Sequence, residues 1–203
     1  MATREKIIEA SIELFNEQGF ANVRLQHIAD RTGISVGNLA YHFRNKEAII
    51  TEAYRTIGEE LQSILSQFRS QPNFLDLENQ LTDFYCFIVR FPFYFIDIVE
   101  IKRSHPHLHQ ERQQFIMRMI IQIRKRFEYN VNRGVLKPEL FPGHYDQVAH
   151  TIWMVITFWV TQSIIREETN DIGSFKSVIW SQIYPFFTSK GIQEYKRLVV
   201  VRS

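Results

Sequence analysis

The fold of this chain is decided by residues 24–46, which read RLQHIADRTGISVGNLAYHFRNK. Leu25, Ile28 and Ala29 have the i, i+3, i+4 spacing that puts three side chains on one face of a helix. Gly33 follows, and glycine readily adopts the left-handed conformation that ends a helix and turns the chain. This pattern predicts a short amphipathic helix followed at once by a tight turn.

A second short helix is predicted immediately after this turn. Ser35 is a favourable N-cap, and Leu39 and Phe43 repeat at i, i+4 on the inward side. Ile34 is an apolar residue in the turn, where it can fill the gap between the two helices. Two short helices joined by a glycine-containing turn are typical of a helix-turn-helix motif, whose second helix lies in the major groove of DNA.

The residues that this second helix turns outward suit contact with DNA. They include no acid, and they are Val36, Gly37, Asn38, Tyr41 and His42, followed by Arg44 and Lys46. Gly37 lets the backbone come close to another surface, and Asn38 can pair with the edge of a base. Tyr41, His42 and Lys46 can donate hydrogen bonds to phosphate oxygens.

The same residues resemble the N-terminal domain of TetR-type (TetR/AcrR-like) transcriptional repressors. The similar segments, within roughly residues 3 to 60, are Ile7–Ala10, Gly19–Phe20, Gly33–Leu39, Tyr41–Phe43 and Asn45–Glu47. By this resemblance the DNA-contacting set comprises Arg24, Gln26, Ser35, Val36, Gly37, Asn38, Tyr41, His42 and Lys46. Two positions depart from the family pattern: Ala40 stands where an aromatic hydroxyl is usual, and Val23 where a capping threonine is common.

Composition and charge fit a globular, cytoplasmic chain of one or two domains. The 203 residues are 45% hydrophobic, and a single cysteine excludes an intrachain disulfide. Residues 1–17 mix charged and apolar residues and lack the continuous apolar segment of an export signal. The net charge of +2 is weak support for nucleic acid binding, but residues 24–46 carry four basic residues against Asp30 alone.

Helical periodicity continues along the whole chain and predicts an all-α fold. Besides the two motif helices, the predicted helices are 3–18, 46 to about 70, 74–90, 92–103, 108–132, 145–167 and 172–187, the last interrupted by Pro185. The only competing strand pattern is the short run at residues 198–201. We expect a three-helix helix-turn-helix DNA-binding domain at residues 1–66 and a helical ligand-binding and dimerisation domain at residues 67–203.

One stretch, residues 147–165, carries no formal charge and nearly reaches the length of a membrane span. Seven of its residues are nevertheless polar, namely Gln147, His150, Thr151, Thr157, Thr161, Gln162 and Ser163. We therefore expect no membrane insertion but a helix covered by its own domain and by a partner. TetR-like proteins dimerise through their last two long helices, so the resemblance implies a homodimer through residues 145–167 and 172–187.

Aromatic residues are concentrated between residues 84 and 95, where seven of twelve positions are Phe or Tyr. Such density is most often core, but a ligand pocket remains open, and the family resemblance implies an inducer site in this region. The candidate pocket wall is Phe84, Phe87, Ile88, Phe95, Met117, Ile121, Trp153 and Thr157. Asp97 and Glu100 leave a cationic ligand open, although pairing with Lys102 and Arg103 on the surface is preferred.

Metal and catalytic motifs are sparse in the sequence. His105, His107 and His109 alternate around Pro106, but neither a cysteine nor a second histidine cluster lies nearby to complete a zinc site. There is no Walker loop, dinucleotide-binding glycine pattern or Gly-x-Ser-x-Gly sequence. We therefore expect a solvated turn at these histidines, no metal, no cofactor and no enzymatic activity.

These observations favour a dimeric transcriptional repressor that binds a palindromic double-stranded DNA operator and is released by a small-molecule inducer. Two other functions are compatible with the same sequence features. The chain could be a TetR-like architectural or cell-division factor that binds DNA without any inducer. It could also be a helical ligand carrier or enzyme whose first sixty residues only resemble a DNA-binding domain.

Overall fold

The computed structural model describes residues 3–66, 72–169 and 171–200, and these residues confirm the predicted all-α fold. Eleven α-helices lie within these ranges: α1 (Thr3–Gln18), α2 (Leu25–Thr32), α3 (Val36–His42), α4 (Lys46–Ser66), α5 (Phe74–Arg90), α6 (Pro92–Ile96), α7 (Ile98–Ser104), α8 (His107–Asn132), α9 (His144–Ile165), α10 (Ile172–Ile183) and α11 (Ser189–Tyr195). The β-pairing in this described part is one isolated bridge between Leu136 and Phe187.

The chain divides into two compact units. The first unit comprises Met1–Leu61 and Arg90–Gln113, and the second comprises Gln62–Val89 and Gln114–Ser203. The chain passes between the units within α4, α5 and α8. The N-terminal helices are thus grouped with a segment that follows them by about thirty residues in the sequence.

Hydrogen bonds between side chains and backbone join this later segment to the N-terminal helices. The Asn16 side-chain amide donates to the Arg90 carbonyl at 3.0 Å, and its oxygen accepts from the Phe93 amide at 3.3 Å. The Phe20 amide donates to a carboxylate oxygen of Asp97 at 2.6 Å. The three backbone groups lie at the end of α5, at the start of α6 and in the turn after α1. Backbone groups at helix ends lack partners within the helix, and these bonds satisfy them.

The second unit is built around α9 and α10, which bury an aromatic and aliphatic core. The rings of Phe74 and Phe187 stack with centroids 4.8 Å apart, and Trp180 meets Phe74 edge-on at 5.2 Å. Phe127 of α8 stacks on Tyr145 of α9 at 4.5 Å. This core explains the helical pattern that the sequence shows beyond residue 72, since each helix buries one apolar face.

The predicted helix at residues 92–103 is wrong in one respect, because it is broken at Asp97 into α6 and α7. Asp97 has φ −87° and ψ 12°, outside the helical range, and its carboxylate accepts the Phe20 amide. A contact with a residue so distant in the sequence cannot be read from local periodicity.

The C-terminal prediction also needs correction. The helix predicted at residues 172–187 with an interruption at Pro185 ends earlier, at Ile183, and Pro185 lies in a short 3-10 turn because proline cannot donate the next helical hydrogen bond. The possible strand at residues 198–201 is wrong for Leu198–Val200, which are helical, and Val201 lies outside the described residues. The predicted end of α4 near residue 70 also lies outside them.

One helix in the described ranges, α9, is long and apolar enough to cross a membrane by length and composition alone. Within the most apolar 18-residue stretch of this helix, 33% is buried inside the protein. Core helices of soluble proteins have the same properties, and the buried residues of α9 include Ile152, Ile156 and Val160.

Candidate DNA-binding site

The turn between α2 and α3 is formed as the sequence predicts. Gly33 has φ 71° and ψ 28°, the left-handed conformation, and its amide donates to the Asp30 carbonyl at 3.2 Å. The Ile34 amide donates to the Ala29 carbonyl at 3.0 Å. These two bonds satisfy carbonyl groups at the end of α2 and turn the chain into α3.

The second helix of the motif is fixed at its start and along its inner face. The Ser35 hydroxyl accepts from the Asn38 amide at 3.1 Å, which caps α3 at its N-terminus. Leu39 is 0% exposed and Phe43 is 2% exposed. The Arg4 guanidinium of α1 lies over the Phe43 ring at 4.5 Å. This anchoring holds the short helix α3 in a fixed orientation within the first unit.

The outer face of α3 is accessible to a partner. Val36, Gly37 and Asn38 are exposed, and Tyr41 has 86% of its surface exposed. His42 is half-buried, and its ring meets the Tyr41 ring edge-on at 5.3 Å. The outer face of α3 therefore presents small, hydrogen-bonding and aromatic groups together, as the sequence predicts.

Arg24, Gln26 and Ser35 flank this face and are also exposed. The amide of Arg24, the residue before α2, donates to the His27 Nδ1 atom at 3.3 Å. The predicted cap position at Val23 is wrong: the N-cap of α2 is Arg24, and Val23 is buried. Ala40, the other departure from the family pattern, is exposed on α3.

Lys46 differs from the other predicted contact residues because its ammonium group points into the first unit. Its Nζ atom donates to the Phe20 carbonyl and lies 4.1 Å from the centre of the Phe20 ring. Burial lowers the pKa of Lys46, while the nearby carboxylates of Asp97 and Glu100 act in the opposite direction. No local pattern predicts this orientation of Lys46, because Phe20 is 26 residues away in the sequence.

The positive charge of the motif is also smaller than the count of basic residues suggests. Arg31 pairs with Glu17 at 2.6 Å and with Glu13 at 3.3 Å, both on α1. The hydrogen bond from Arg31 lowers the pKa of the Glu17 carboxyl group. Arg24 and Arg44 remain exposed, so they are the basic residues of the motif best placed to meet phosphate.

A cavity in the second unit involves only one residue of the predicted pocket wall. The cavity measures about 40 Å³, and Phe84 lines it. Phe87, Ile88, Phe95 and Trp153 are buried, Thr157 is half-buried, and Met117 and Ile121 are exposed on α8 with 57% and 49% of their surfaces accessible. Phe95 belongs to the first unit, whereas the other seven belong to the second.

The histidine segment lies in the first unit at the start of α8. The rings of His105 and His107 are 6.2 Å apart, and the His105 ring meets Phe20 edge-on at 5.3 Å. Burial lowers the pKa of His105. Over residues 3–66, 72–169 and 171–200, no three His, Cys, Asp or Glu side chains form a group that could hold a metal ion.

An exposed α3 capped by serine and packed on α2 through a glycine turn is the structure of a helix-turn-helix DNA-binding protein. The sequence also matches the models of two known protein families, which narrow this class. One, described as bacterial regulatory proteins of the tetR family, matches residues 7–53, and another, described as TetR, bacterial transcriptional repressor, matches residues 56–195. The chain belongs to the TetR family of transcriptional regulators, which consists of DNA-binding regulators and not of enzymes.

Individual relatives agree with this assignment. A crystal structure of a TetR-family transcriptional regulator from Marinobacter aquaeolei VT8 is 28% identical, covers 100% of this chain and 98% of that chain, and has a TM-score of 0.87. The probable HTH-type transcriptional regulator YttP of Bacillus subtilis is 29% identical over 75 residues, which are 35% of this chain and 36% of that protein. The match therefore spans about a third of the length of this curated relative.

A more distant structure shares the fold alone. It is the complex of SmeT with triclosan, which has a TM-score of 0.61 and 16% identity and covers 93% of each chain. SmeT is described as the repressor of the Stenotrophomonas maltophilia multidrug efflux pump SmeDEF. Bound triclosan makes it a ligand-binding structural relative of this chain.

Proposed function

We propose that this protein is a cytoplasmic, dimeric repressor that binds a palindromic operator and is released from it by a small molecule. The observation that carries the proposal is the exposed face of α3, held by its serine cap and two buried anchors. In this proposal residues 1–66 bind DNA and residues 67–203 bind the ligand and the second subunit. The nine predicted contact residues, from Arg24 to Lys46, remain the proposed DNA site, in which the ammonium group of Lys46 has to leave the Phe20 carbonyl to reach a phosphate.

The operator is the first thing to identify. The purified protein is expected to select one family of related sequences from random double-stranded fragments, with two half-sites about one helical turn apart. Sequencing the selected fragments gives the operator directly. Retention of unrelated sequences in equal amounts would favour the architectural alternative, and failure to retain any DNA at low salt would favour the ligand carrier.

Base and phosphate contacts are expected to respond differently to substitution. Asn38→Ala is expected to relax the preference at one base pair of each half-site by about tenfold, because a bidentate side-chain contact is lost. Tyr41→Ala is expected to weaken binding to operator and random DNA by similar factors of about three to ten, because it removes a phosphate contact. Fluorescence anisotropy with both DNAs measures the two constants. Equal losses on both DNAs for Asn38→Ala would contradict a base contact.

Exposed apolar side chains on α9 support a dimer through the last two long helices. Met154, Phe158 and Ile165 lie at intervals of four and seven along one face, and each has more than half of its surface accessible. Val178 adds an exposed apolar side chain on α10. A second subunit that covers this face would bury it in a four-helix bundle, and it would present two α3 helices to the two half-sites.

Phe158→Glu is expected to raise the dimer dissociation constant by about tenfold, because symmetry places the new charges near each other in an apolar interface. Sedimentation velocity over a range of concentrations measures this constant. Leu140→Glu is the matched control, since Leu140 has 75% of its surface exposed but lies before α9. If both variants stay dimeric at the wild-type concentrations, this interface is wrong.

Release by a ligand would follow from a shift between two conformations. A molecule that binds more tightly to a conformation in which the two α3 helices are wrongly spaced lowers the DNA-bound population by its differential affinity. The cavity in the second unit supports this mechanism, as does the triclosan bound to the structural relative SmeT. The chain passes between the two units within α4, α5 and α8, which gives a change around the cavity covalent routes to the DNA-binding unit.

A TetR-like factor that binds DNA without an inducer is the second candidate function. The small volume of the cavity, about 40 Å³, is the observation that favours it. The two candidates differ in a titration of the operator complex with small molecules. Release of DNA by a compound that also binds the protein alone supports the repressor, whereas a complex that no binding compound releases supports the second candidate.

A further inference from the structure

The cavity of the second unit is apolar except at one end. Most of its wall consists of aliphatic and aromatic side chains such as Phe84 and Ile156. Three polar residues, Gln80, Arg126 and Asn130, complete the lining. All three are buried, with 4% to 7% of their surfaces exposed. The chemistry of a ligand is therefore limited by what these three groups still offer.

The charge of Arg126 is neutralised within the protein. Its Nη1 atom lies 2.6 Å from a carboxylate oxygen of Asp76, and its Nη2 atom donates to the Gln80 side-chain oxygen at 2.8 Å. The two partners lie on α5, and Arg126 lies on α8. Bonds of this length to a charged acceptor are strong, so Asp76 already balances the positive charge of the guanidinium group.

Asn130 is engaged in the same way. Its amide nitrogen donates to the carbonyls of Pro72 and Arg126 at 3.0 and 2.8 Å, and its oxygen accepts from Arg133 at 2.9 Å. Arg133 in turn pairs with Glu194 at 2.6 Å. Arg126, the charged residue of the lining, and Arg133, which contacts Asn130, thus each have a carboxylate partner that is not itself part of the lining, so the charges around this end of the cavity are balanced.

A charged ligand would disturb this balance. A carboxylate placed near Arg126 adds a second anion beside Asp76, and an ammonium group adds an unmatched cation. Either ion loses its hydration in an apolar cavity without gaining a full counter-charge, which is costly. A hydroxyl group meets no such obstacle, because the side-chain oxygens of Gln80 and Asn130 each have a second lone pair that can accept a hydrogen bond.

We infer that the ligand of this cavity is an uncharged, predominantly apolar molecule with at most one or two hydrogen-bonding groups at one end. The inference rests on the proposed function, because it names the chemical class of the proposed inducer. The ligand must also widen the cavity, since about 40 Å³ has room for only a few water molecules. Met119, which lines the wall, has a flexible side chain suited to such a change.

Three probes that share one carbon chain test the charge preference: octanol, octanoate and octylammonium. Isothermal titration of the full-length protein without DNA, at neutral pH, is expected to give octanol an affinity at least about tenfold higher than either ion. Equal or tighter binding of octanoate or octylammonium overturns the inference. Failure of all three probes to bind overturns it as well, because the cavity then accepts no ligand of this size.

A charge substitution at Asp76 ties the preference to this cavity. Asp76→Asn leaves Arg126 without its carboxylate partner, so the ratio of octanoate to octanol affinity is expected to rise by about tenfold. Asp83→Asn is the matched control on the same helix, because Arg126 pairs with Asp76 and not with Asp83, so the ratio should keep its wild-type value. An unchanged ratio in a folded Asp76→Asn variant overturns the assignment to this site.

Two further measurements keep the outcomes separate. Circular dichroism reports whether Asp76→Asn folds, and if it does not, the wild-type probe series alone decides the charge preference. Operator release is measured independently by anisotropy with labelled DNA. Tight octanol binding without release leaves the ligand class standing and contradicts the proposed repressor mechanism, whereas release by octanoate at lower concentrations than octanol contradicts the ligand class.

Discussion

Replacing Gly37 by leucine is expected to lower operator affinity by at least about a hundredfold while the protein remains folded. Gly37 is exposed in the first turn of α3, and a Cβ atom there would have the Ser35 hydroxyl, at 3.9 Å, as its nearest neighbour. The folded monomer therefore has room for a side chain. In the proposed complex the same space is occupied by DNA, to which the start of the recognition helix must come close.

The magnitude follows from the two copies of the motif in the proposed dimer. A loss of about 1.4 kcal/mol in each half-site, a modest value for one disrupted contact region, multiplies to about a hundredfold for the pair. Fluorescence anisotropy on the selected operator measures the loss, and circular dichroism with a thermal melt measures folding.

Gly58→Leu provides the matched control for this substitution. Gly58 is exposed within α4, and a Cβ atom there would meet nothing within 4 Å, as is nearly the case at Gly37. The control should therefore fold and bind the operator with wild-type affinity. Wild-type affinity of the Gly37→Leu variant would mean that the first turn of α3 does not approach DNA, and the proposed interface would have to be abandoned.

The helix-turn-helix could be predicted from the sequence because its determinants are local. The positive φ of Gly33, the serine cap and the Leu39 and Phe43 spacing all act within ten residues, and each has the role that the pattern predicts. The inward orientation of Lys46 and the break at Asp97 could not be predicted. Both depend on Phe20, which is distant in the sequence from either residue.

The cavity illustrates the same limit for the candidate ligand site. The aromatic run at residues 84–95 suggested a pocket, but of this run only Phe84 lines the cavity. The boundary between the two units falls between Val89 and Arg90, within α5, and places Phe95 in the first unit. The polar residues that define its chemistry include Gln80 on α5 and Arg126 on α8, which are 46 residues apart in the sequence. A helical pattern predicts that such residues share a face of their own helix, but not which residues of another helix they meet.

The other large effect is expected at Gly191, near the start of α11, a helix that the sequence pattern does not predict. Thr188 caps this helix, accepting from the Gly191 amide at 3.2 Å, and the Thr188 amide donates to the Val135 carbonyl at 3.1 Å. The start of α11 is thereby fixed against the turn that follows α8. A Cβ atom on Gly191 would come closer than 3.0 Å to the Val135 carbonyl oxygen, a backbone atom that cannot rotate away.

Gly191→Ala is therefore expected to reduce the free energy of unfolding by about 3 kcal/mol, since overpacking against backbone forces the chain to move and weakens the Thr188 hydrogen bonds. Urea denaturation followed by tryptophan fluorescence measures this loss, because Trp153, Trp159 and Trp180 all lie in the second unit. Gly173→Ala in α10 is the matched control, because its nearest neighbour is a side-chain oxygen of Asp171 at 3.1 Å. This oxygen caps α10 by accepting from the Ser174 amide and needs to move by only a few tenths of an ångström, so a change below about 1 kcal/mol is expected. Equal stabilities of the two variants would show that α11 does not pack against the turn after α8 in solution.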